Sequence, residues 1–275
     1  MSQTVQELWQ EQDHWRETIV LKLRGLLDTP QIRNLDRCGR ESVFRTCVEC
    51  GDFRKFDYRC DLKFCPRCAH RIVARRARVI RAWAEKIAQP KHLVTTQRNF
   101  PILTRSRIRE HQKNLVRLRK SKVFRLVRGG CVSVELTNEN RGWHMHSHWL
   151  LDARWVDIAE VSRVWAHLVG QSDYAIVRIQ DCRNRDYLEE VSKYVAKGSE
   201  VASWPGEEIA QFIHAIRGLR FFFAFGSLFK QARAIRRELH REHEPEVCEC
   251  GCSKFVWRDE LHETLHEIRQ RSKRR

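Results

Sequence analysis

The stretch NRGWHMHSHWLLD, residues 140–152, decides the reading of this chain. It follows a turn-like TNENRG and runs into apolar residues, with His144, His146 and His148 at alternate positions. Successive side chains of a β-strand point to opposite faces, so residues two apart share one. If the stretch is a strand, three imidazoles line one face of a sheet. A histidine-rich face turned to water is the plain alternative. Neutral imidazole is the commonest metal-ligating side chain, however, and several on one rigid strand make a ready site. The expectation is a metal site on a strand, whose purpose must come from the rest of the chain.

Outward from that strand the elements follow a regular series. HLVTTQ (92–97) reads as a strand, RSRIREHQKNLVRLRKSKVFRLV (105–127) as a helix stopped by GG, and CVSVELT (131–137) as a strand joined to the histidine strand by a turn. WVDIAEVSRVWAHLVG (155–170) reads as a helix with Gly170 beyond its end, YAIVRIQ (174–180) as a strand, and DYLEEVSKYVAKG (186–198) as a helix closed by Gly198. The order β-α-β-β-α-β-α predicts an α+β fold of the split βαβ, ferredoxin-like plan, an antiparallel sheet with helices on one face. The other face is then open to carry the histidines, with the last helix across it. On the preceding strand, Glu135 is expected across the hairpin on the histidine face, able to complete a ligand shell.

The last helix adds a second set of groups. Tyr187, Glu190, Tyr194 and Lys197 fall at i, i+3, i+7 and i+10 and share one helical face, while Leu188, Val191 and Val195 supply the apolar stripe. A solvated polar-aromatic face is the plain reading of the four alone. Beside a histidine-bound metal they form a different set: the ion acts as a Lewis acid on a phosphoryl oxygen, and a phenol is an oxygen nucleophile that can form a covalent intermediate. Lys197 can hold the phosphate or help the phenol ionise. These are the parts of a DNA-cutting site.

Upstream, residues 47–68 read CVECGDFRKFDYRCDLKFCPRC. The pairs Cys47/Cys50 and Cys65/Cys68 each span two residues, with Cys60 between. Two Cys-x-x-Cys turns complete the four-sulfur shell that structural zinc prefers, and four of these five cysteines are expected to hold one ion. The intervening residues are mostly polar and suit a metal knuckle better than a core. The helix that follows, HRIVARRARVIRAWAEKIA, sets apolar residues at helical spacing among arginines, a basic face for phosphate or for water. A further group, Cys248, Cys250 and Cys252 in VCECGCSKF, lies after His240 and His243. Three cysteines do not fill a shell; a nearby histidine or Cys38 would be needed, and a surface loop is the alternative.

Composition bounds the answer. In 275 residues, Lys plus Arg outnumber Asp plus Glu by 52 to 35, a formal net charge of +17. Such a surplus, spread from the zinc segment to a terminal RQRSKRR, points to a polyanionic partner, nucleic acid before anionic membrane. No apolar run approaches the roughly 20 residues of a membrane span, and MSQTVQELWQEQDHW lacks the layout of a signal peptide. A cytoplasmic protein is expected, whose eleven cysteines serve as metal ligands or thiols rather than disulfides. Four segments are expected: a helical N-terminus (1–37), a zinc segment with its basic helix (38–88), the core (89–200) and a helical C-terminal extension carrying the second cysteine group (201–275).

The strand GWHMHSHWLLD with EVSKYVAK behind it resembles the histidine-hydrophobic-histidine (HUH) endonucleases, specifically the rolling-circle plasmid replication initiators. The resemblance extends to Cys50-Gly51, Cys60 and FCPRC upstream, to HLVTTQ as a first strand motif and to GLRFFFAFGSLFK, covering roughly residues 47–230. It implies His146 and His148 as the metal pair and Tyr194 as the nucleophile. Ser147 departs from the hydrophobic residue of the family pattern, whereas Met145 between His144 and His146 matches it, so both pairs stay open. The implied reaction is attack by tyrosine on one strand at a plasmid origin, leaving a 5′-phosphotyrosine and a free 3′-hydroxyl. Mg²⁺ or Mn²⁺ is the implied ion, imidazole ligation favouring Mn²⁺ and abundance Mg²⁺. Host helicase and polymerase are the implied partners. Glu190 is similar in position to a carboxylate that serves single-tyrosine initiators as a general base. Two other readings compete: a transposase of the same nuclease superfamily, and a non-catalytic zinc-containing DNA-binding regulator, which leaves the histidines and the tyrosine face without a role.

Overall fold

Residues 129–152 build the centre of the molecule. Strands β4 (Gly129–Asn138) and β5 (Trp143–Asp152) form an antiparallel hairpin in which Glu135 stands opposite His146 and Ser133 opposite His148. Gly142 turns the chain with φ +85°, and a Cβ there would meet the carbonyl of Phe100 at 2.7 Å. The computed structural model describes residues 5–87, 89–138, 141–171, 175–182, 191, 196–241 and 247–258.

Around the hairpin lies a five-stranded sheet in the order β6-β3-β5-β4-β7, with β3 (Pro90–Thr96), β6 (Val177–Asp181) and β7 (Phe222–Phe225). Every pairing is antiparallel. Because β3 and β4 both oppose β5, they run parallel to each other with β5 between them. Helix α4 (Arg105–Lys120) joins β3 to β4, and α5 (Ile158–Leu168) joins β5 to β6. The molecule is a mixed α+β protein with antiparallel sheets.

The pleat sorts side chains to two faces. Val132, Val134, Leu136, Trp143, Met145, Trp149 and Leu151 enter the main buried cluster with Ile108, Leu115, Leu118, Val161 and Trp165 of α4 and α5. His144, His146 and His148 take the opposite face. That face is not wholly open: at its far end Cys131 and Leu150 are buried with Ile80, Trp83 and Ala84 of α3 (Pro66–Ala84), with Leu228 and Ile235 of the last described helix, Gly226–Arg241, and with Val191.

Three local readings need correction. The helix expected over 105–127 ends at Lys120, where Ser121 turns extended (φ −73°, ψ 163°) and its hydroxyl donates to the Leu118 carbonyl at 2.6 Å. Gly129 and Gly130, expected to stop that helix, belong to β4; a Cβ on Gly130 would lie 2.1 Å from the Leu150 carbonyl oxygen. Gly198 does not close a helix but opens α6 (Gly198–Ser203), with Lys197 extended before it. Gly170 does take the left-handed conformation expected beyond α5, with φ +69°.

Helices α1 (Val5–Leu23) and α2 (Pro30–Arg37) break at the Asp28-Thr29-Pro30 punctuation, where the Thr29 hydroxyl accepts from the Ile32 N–H. Ile19, Leu23, Ile32 and Leu35 join the main cluster, which also takes Ile209, Phe212 and Ile213 of α7 (Gly206–Ile216). The C-terminal part, expected to be helical, supplies α8 (Gly226–Arg241) but also β7 and β8 (Phe255–Arg258). The last strand crosses back to the N-terminal hairpin of β1 (Ser42–Cys47) and β2 (Phe53–Asp57), giving a second sheet in the order β2-β1-β8. No described helix is long and apolar enough to cross a membrane.

Candidate active site and cysteine centres

Pairing brings four strands' worth of polar groups to the histidine face. The His148 Nε2 lies 3.3 Å from a carboxylate oxygen of Glu135, and its Nδ1 lies 3.4 Å from the Nε2 of His92 on β3. The rings of His92 and His148 are near parallel, 12° apart with centroids at 5.6 Å. His92 is held in turn by the Gln180 amide of β6 at 3.1 Å. His146 stands 3.4 Å from the Thr137 hydroxyl, and the His144 and His146 ring centroids are 4.0 Å apart. His92, Glu135 and His148 are all buried, at 3, 6 and 6 % exposure. A buried carboxylate needs a partner to offset its lost hydration, and here the His148 Nε2 adjoins it. The histidine nitrogens and the Glu135 carboxylate are a mixed N/O donor set, not drawn together as closely as the cysteines described below.

Glu135 therefore sits across the hairpin, on the same face as the histidines. His92 is the residue that sequence reasoning passed over. It lies within HLVTTQ, and the alternation of His92, Val94 and Thr96 on the face opposite Leu93 and Thr95 was the available signal. Tyr187, Glu190 and Tyr194 lie outside the described residues. Val191, three residues before Tyr194, is helical and fully buried against Cys131 and Leu150. Lys197 is exposed at the start of α6.

Beneath the sheet, on the α4 face, His111 is the other buried imidazole. Its Nε2 lies 2.7 Å from the Ser147 hydroxyl and its Nδ1 3.2 Å from the Gln97 side-chain oxygen. Burial, and then the charges of His146 and His144, lower its pKa to about 3. The ring is neutral at ordinary pH and anchors Ser147, the small residue between the two histidines, to the helix layer.

The cysteines form two groups, not the single site expected from Cys47, Cys50, Cys60, Cys65 and Cys68. Cys38, Cys60, Cys65 and Cys68 have sulfurs all within 4.8 Å of one another, and so do Cys47, Cys50, Cys248 and Cys250. Four thiolates at about 2.3 Å from a tetrahedral ion stand about 3.8 Å from each other. In the first group Cys38 lies 3.5 Å from Cys68 and 3.6 Å from Cys65, and Cys60 lies 3.8 Å from Cys68; in the second, Cys47 lies 3.6 Å from Cys250 and Cys50 3.4 Å from Cys248. Either group could hold a metal ion such as zinc.

In the first group, hydrogen bonds from Cys60, Cys65 and Cys68 hold the Cys38 thiol well below the usual thiol range. In the second, burial pushes the Cys47 thiol up, but the backbone N–H groups of Cys50 and Glu49 and the thiols of Cys250 and Cys50 outweigh it and lower the pKa to about 6. Each Cys-x-x-Cys pair thus meets a different distant partner. Cys38 joins the first group rather than the C-terminal one, and Cys252 stays outside both, its sulfur accepting the Lys254 N–H at 3.3 Å. The separation was not legible because the linear spacing of Cys47/Cys50 and Cys65/Cys68 suits a shared shell equally well.

The family model for the Rep_1 replication proteins matches residues 55–251. No curated protein matches the chain. No solved structure matches it either.

Proposed function

The chain belongs to the replication protein family, and on that premise we propose that it is a rolling-circle plasmid replication initiator, an endonuclease that nicks one DNA strand at an origin. One observation carries the reading: a buried carboxylate and two imidazoles, Glu135, His148 and His92, adjoin on a sheet face, and Val191 of the tyrosine segment packs on that same face.

His146 and His148 with Glu135 would hold the catalytic ion, Mg²⁺ or Mn²⁺, with His144 as the alternative partner of His146. When bound, it supplies Lewis-acid polarisation of a phosphoryl oxygen. Tyr194 attacks the scissile phosphorus. A bond forms between the phenol oxygen and phosphorus, the bond to the 3′ oxygen breaks, and the phenol's proton is given up as the 3′-hydroxyl is formed. The 5′ end stays joined to Tyr194 and the 3′-hydroxyl primes synthesis by a host polymerase behind a host helicase. Lys197 is near enough in sequence to hold the phosphate or favour the phenolate. Glu190, four residues before Tyr194, acts as general base for the water that ends the cycle.

Both cysteine groups are structural zinc centres in this reading, since a closed four-thiolate shell leaves no position for substrate. The basic surface supplies affinity for DNA independent of the chemistry. The test is covalent capture: the chain, single-stranded DNA carrying the origin and a divalent ion should give an adduct stable to denaturation, and Tyr194→Phe should give none. An adduct formed equally well by Tyr194→Phe would remove Tyr194 from the reaction.

A further inference from the structure

Helix α3 lays one row of side chains on the histidine-bearing face of the sheet. Ile80, Trp83 and Ala84 are buried there with Cys131 and Leu150. Arg76 lies one turn before Ile80 on the same row, because residues four apart share a helix face. Its guanidinium carbon stands 5.3 Å from the centroid of Phe222. Phe222 pairs across β7 and β4 with Ser133, which pairs with His148. Of the other arginines of the helix, Arg71, Arg75, Arg78 and Arg81 are exposed and Arg67 is paired with Asp13 at 2.7 Å, whereas Arg76 is half-buried.

Arg76 has no carboxylate partner among the described residues, and burial lowers its pKa. It is not the only cation there. Lys63, also half-buried, lies over the ring of Phe221 at 5.7 Å and donates to the Leu219 carbonyl. Burial, and then the charges of Arg76 and Arg220, lower its pKa. Lys63 and the exposed Arg220 thus add like charge near Arg76, without a counter-charge among the described residues. Cations taken from water without a partner cost stability, and a ligand anion is what would offset that cost.

We propose that Arg76, backed by Lys63 and Arg220, forms a cradle for a phosphodiester of the DNA strand that runs along the histidine face. Phe222 is two strand spacings from His148, about 10 Å. The phosphate held is therefore not the one cut but one further along the strand, and Arg76 is a positioning residue. The direction of the strand rests on the nicking reading; the binding itself does not.

The test measures binding of labelled dT20 by the full chain without added divalent ion, over a range of salt, beside the thermal unfolding of the DNA-free chain. Arg76→Met should weaken dT20 binding roughly tenfold or more and flatten the slope of log affinity against log salt by about 0.7. The same variant should raise the unfolding midpoint of the DNA-free chain, because a half-buried charge with no carboxylate partner among the described residues is gone. Arg76→Lys should recover most of the slope. Unchanged affinity for dT20 overturns the proposal whatever the midpoint does. So does a loss with an unchanged salt slope, which marks a structural arginine, or a loss confined to a duplex of the same length. Failure of covalent capture with a normal Arg76 effect would leave the cradle standing and remove the nicking reading.

Discussion

The Nε2 of His148 lies 3.3 Å from Glu135 across the β4–β5 hairpin, with both side chains 8 % exposed. Neither residue has a packing reason to be polar at that depth. Glu135→Gln should keep the hairpin's shape while weakening the ligand set, and His148→Ala should remove a ligand outright. Both are expected to lower metal-dependent nicking by at least about a hundredfold, with dT20 binding within a few fold of the parent, since phosphate contacts are made by Lys and Arg. His146→Ala and His144→Ala, assayed side by side, decide which of the two pairs ligates.

His92 is expected to behave as part of the same site. Its Nε2 faces His148 and Gln180 fixes its other nitrogen, the arrangement by which an outer partner orients a ligand. His92→Ala should reduce nicking about 10- to 100-fold, and raised Mn²⁺ should restore part of it. Full activity in His92→Ala at limiting metal would make it a satisfied core residue and nothing more.

Metal analysis of the full chain should find about two equivalents of zinc. Cys65→Ser and Cys248→Ser should each lose one, but with unequal consequences. Cys38, Cys65 and Cys68 sit in the main buried cluster, so loss of the first centre should open helices α1 to α3 to protease. Cys248 holds only the C-terminal strand, so its variant should release residues 247–258 to cleavage while the five-stranded sheet stays protected. A single equivalent in the parent chain would contradict the separation into two centres.

Acid should destabilise the protein through His111. Its folded pKa, about 3, lies below the ordinary histidine value, so the unfolded chain binds the proton more readily. The contribution is fully present above about pH 6.5 and is lost as pH falls from there toward 3, at most about 5 kcal/mol at full protonation. His111→Gln should be less stable than the parent at pH 7 and should lose less stability between pH 6.5 and 4. The measurement is denaturant unfolding at each pH; parallel curves for the two chains would exclude the histidine.

Gly130→Ala places a methyl group 2.1 Å from the Leu150 carbonyl oxygen. The central hairpin must spread to admit it, at about 2–4 kcal/mol. Nicking should fall with the thermal midpoint, because the hairpin that spreads is the one carrying Glu135 and His148.

Much of this was legible in the sequence because period-two and period-3.6 patterns are local. The alternation of His144, His146 and His148 identified both a strand and its polar face, and Glu135 followed from its place on the preceding strand, across the hairpin. What escaped was whatever depended on distant partners. His92 contributes through β3 pairing with β5, fifty-odd residues away in the chain, and nothing in HLVTTQ reveals its neighbour. The two cysteine groups depend on Cys38 and Cys248/Cys250 arriving from outside the CVECGDFRKFDYRCDLKFCPRC segment. Gly129 and Gly130 were misread because a glycine pair stops helices more often than it admits a neighbouring strand.

The pairing of Cys47 and Cys50 with Cys248 and Cys250 also sets an order of events during synthesis. The first centre is complete once residue 68 has left the ribosome, well before any strand of the large sheet exists. The second waits for residue 250, and through that interval two thiols of the N-terminal hairpin remain without half of their shell. A nascent chain halted anywhere in between would carry a finished knuckle and an unfinished one, open to oxidation or to the wrong metal. Closing the second centre is therefore a record that the large sheet's strands, all of which precede Cys248, have already been made.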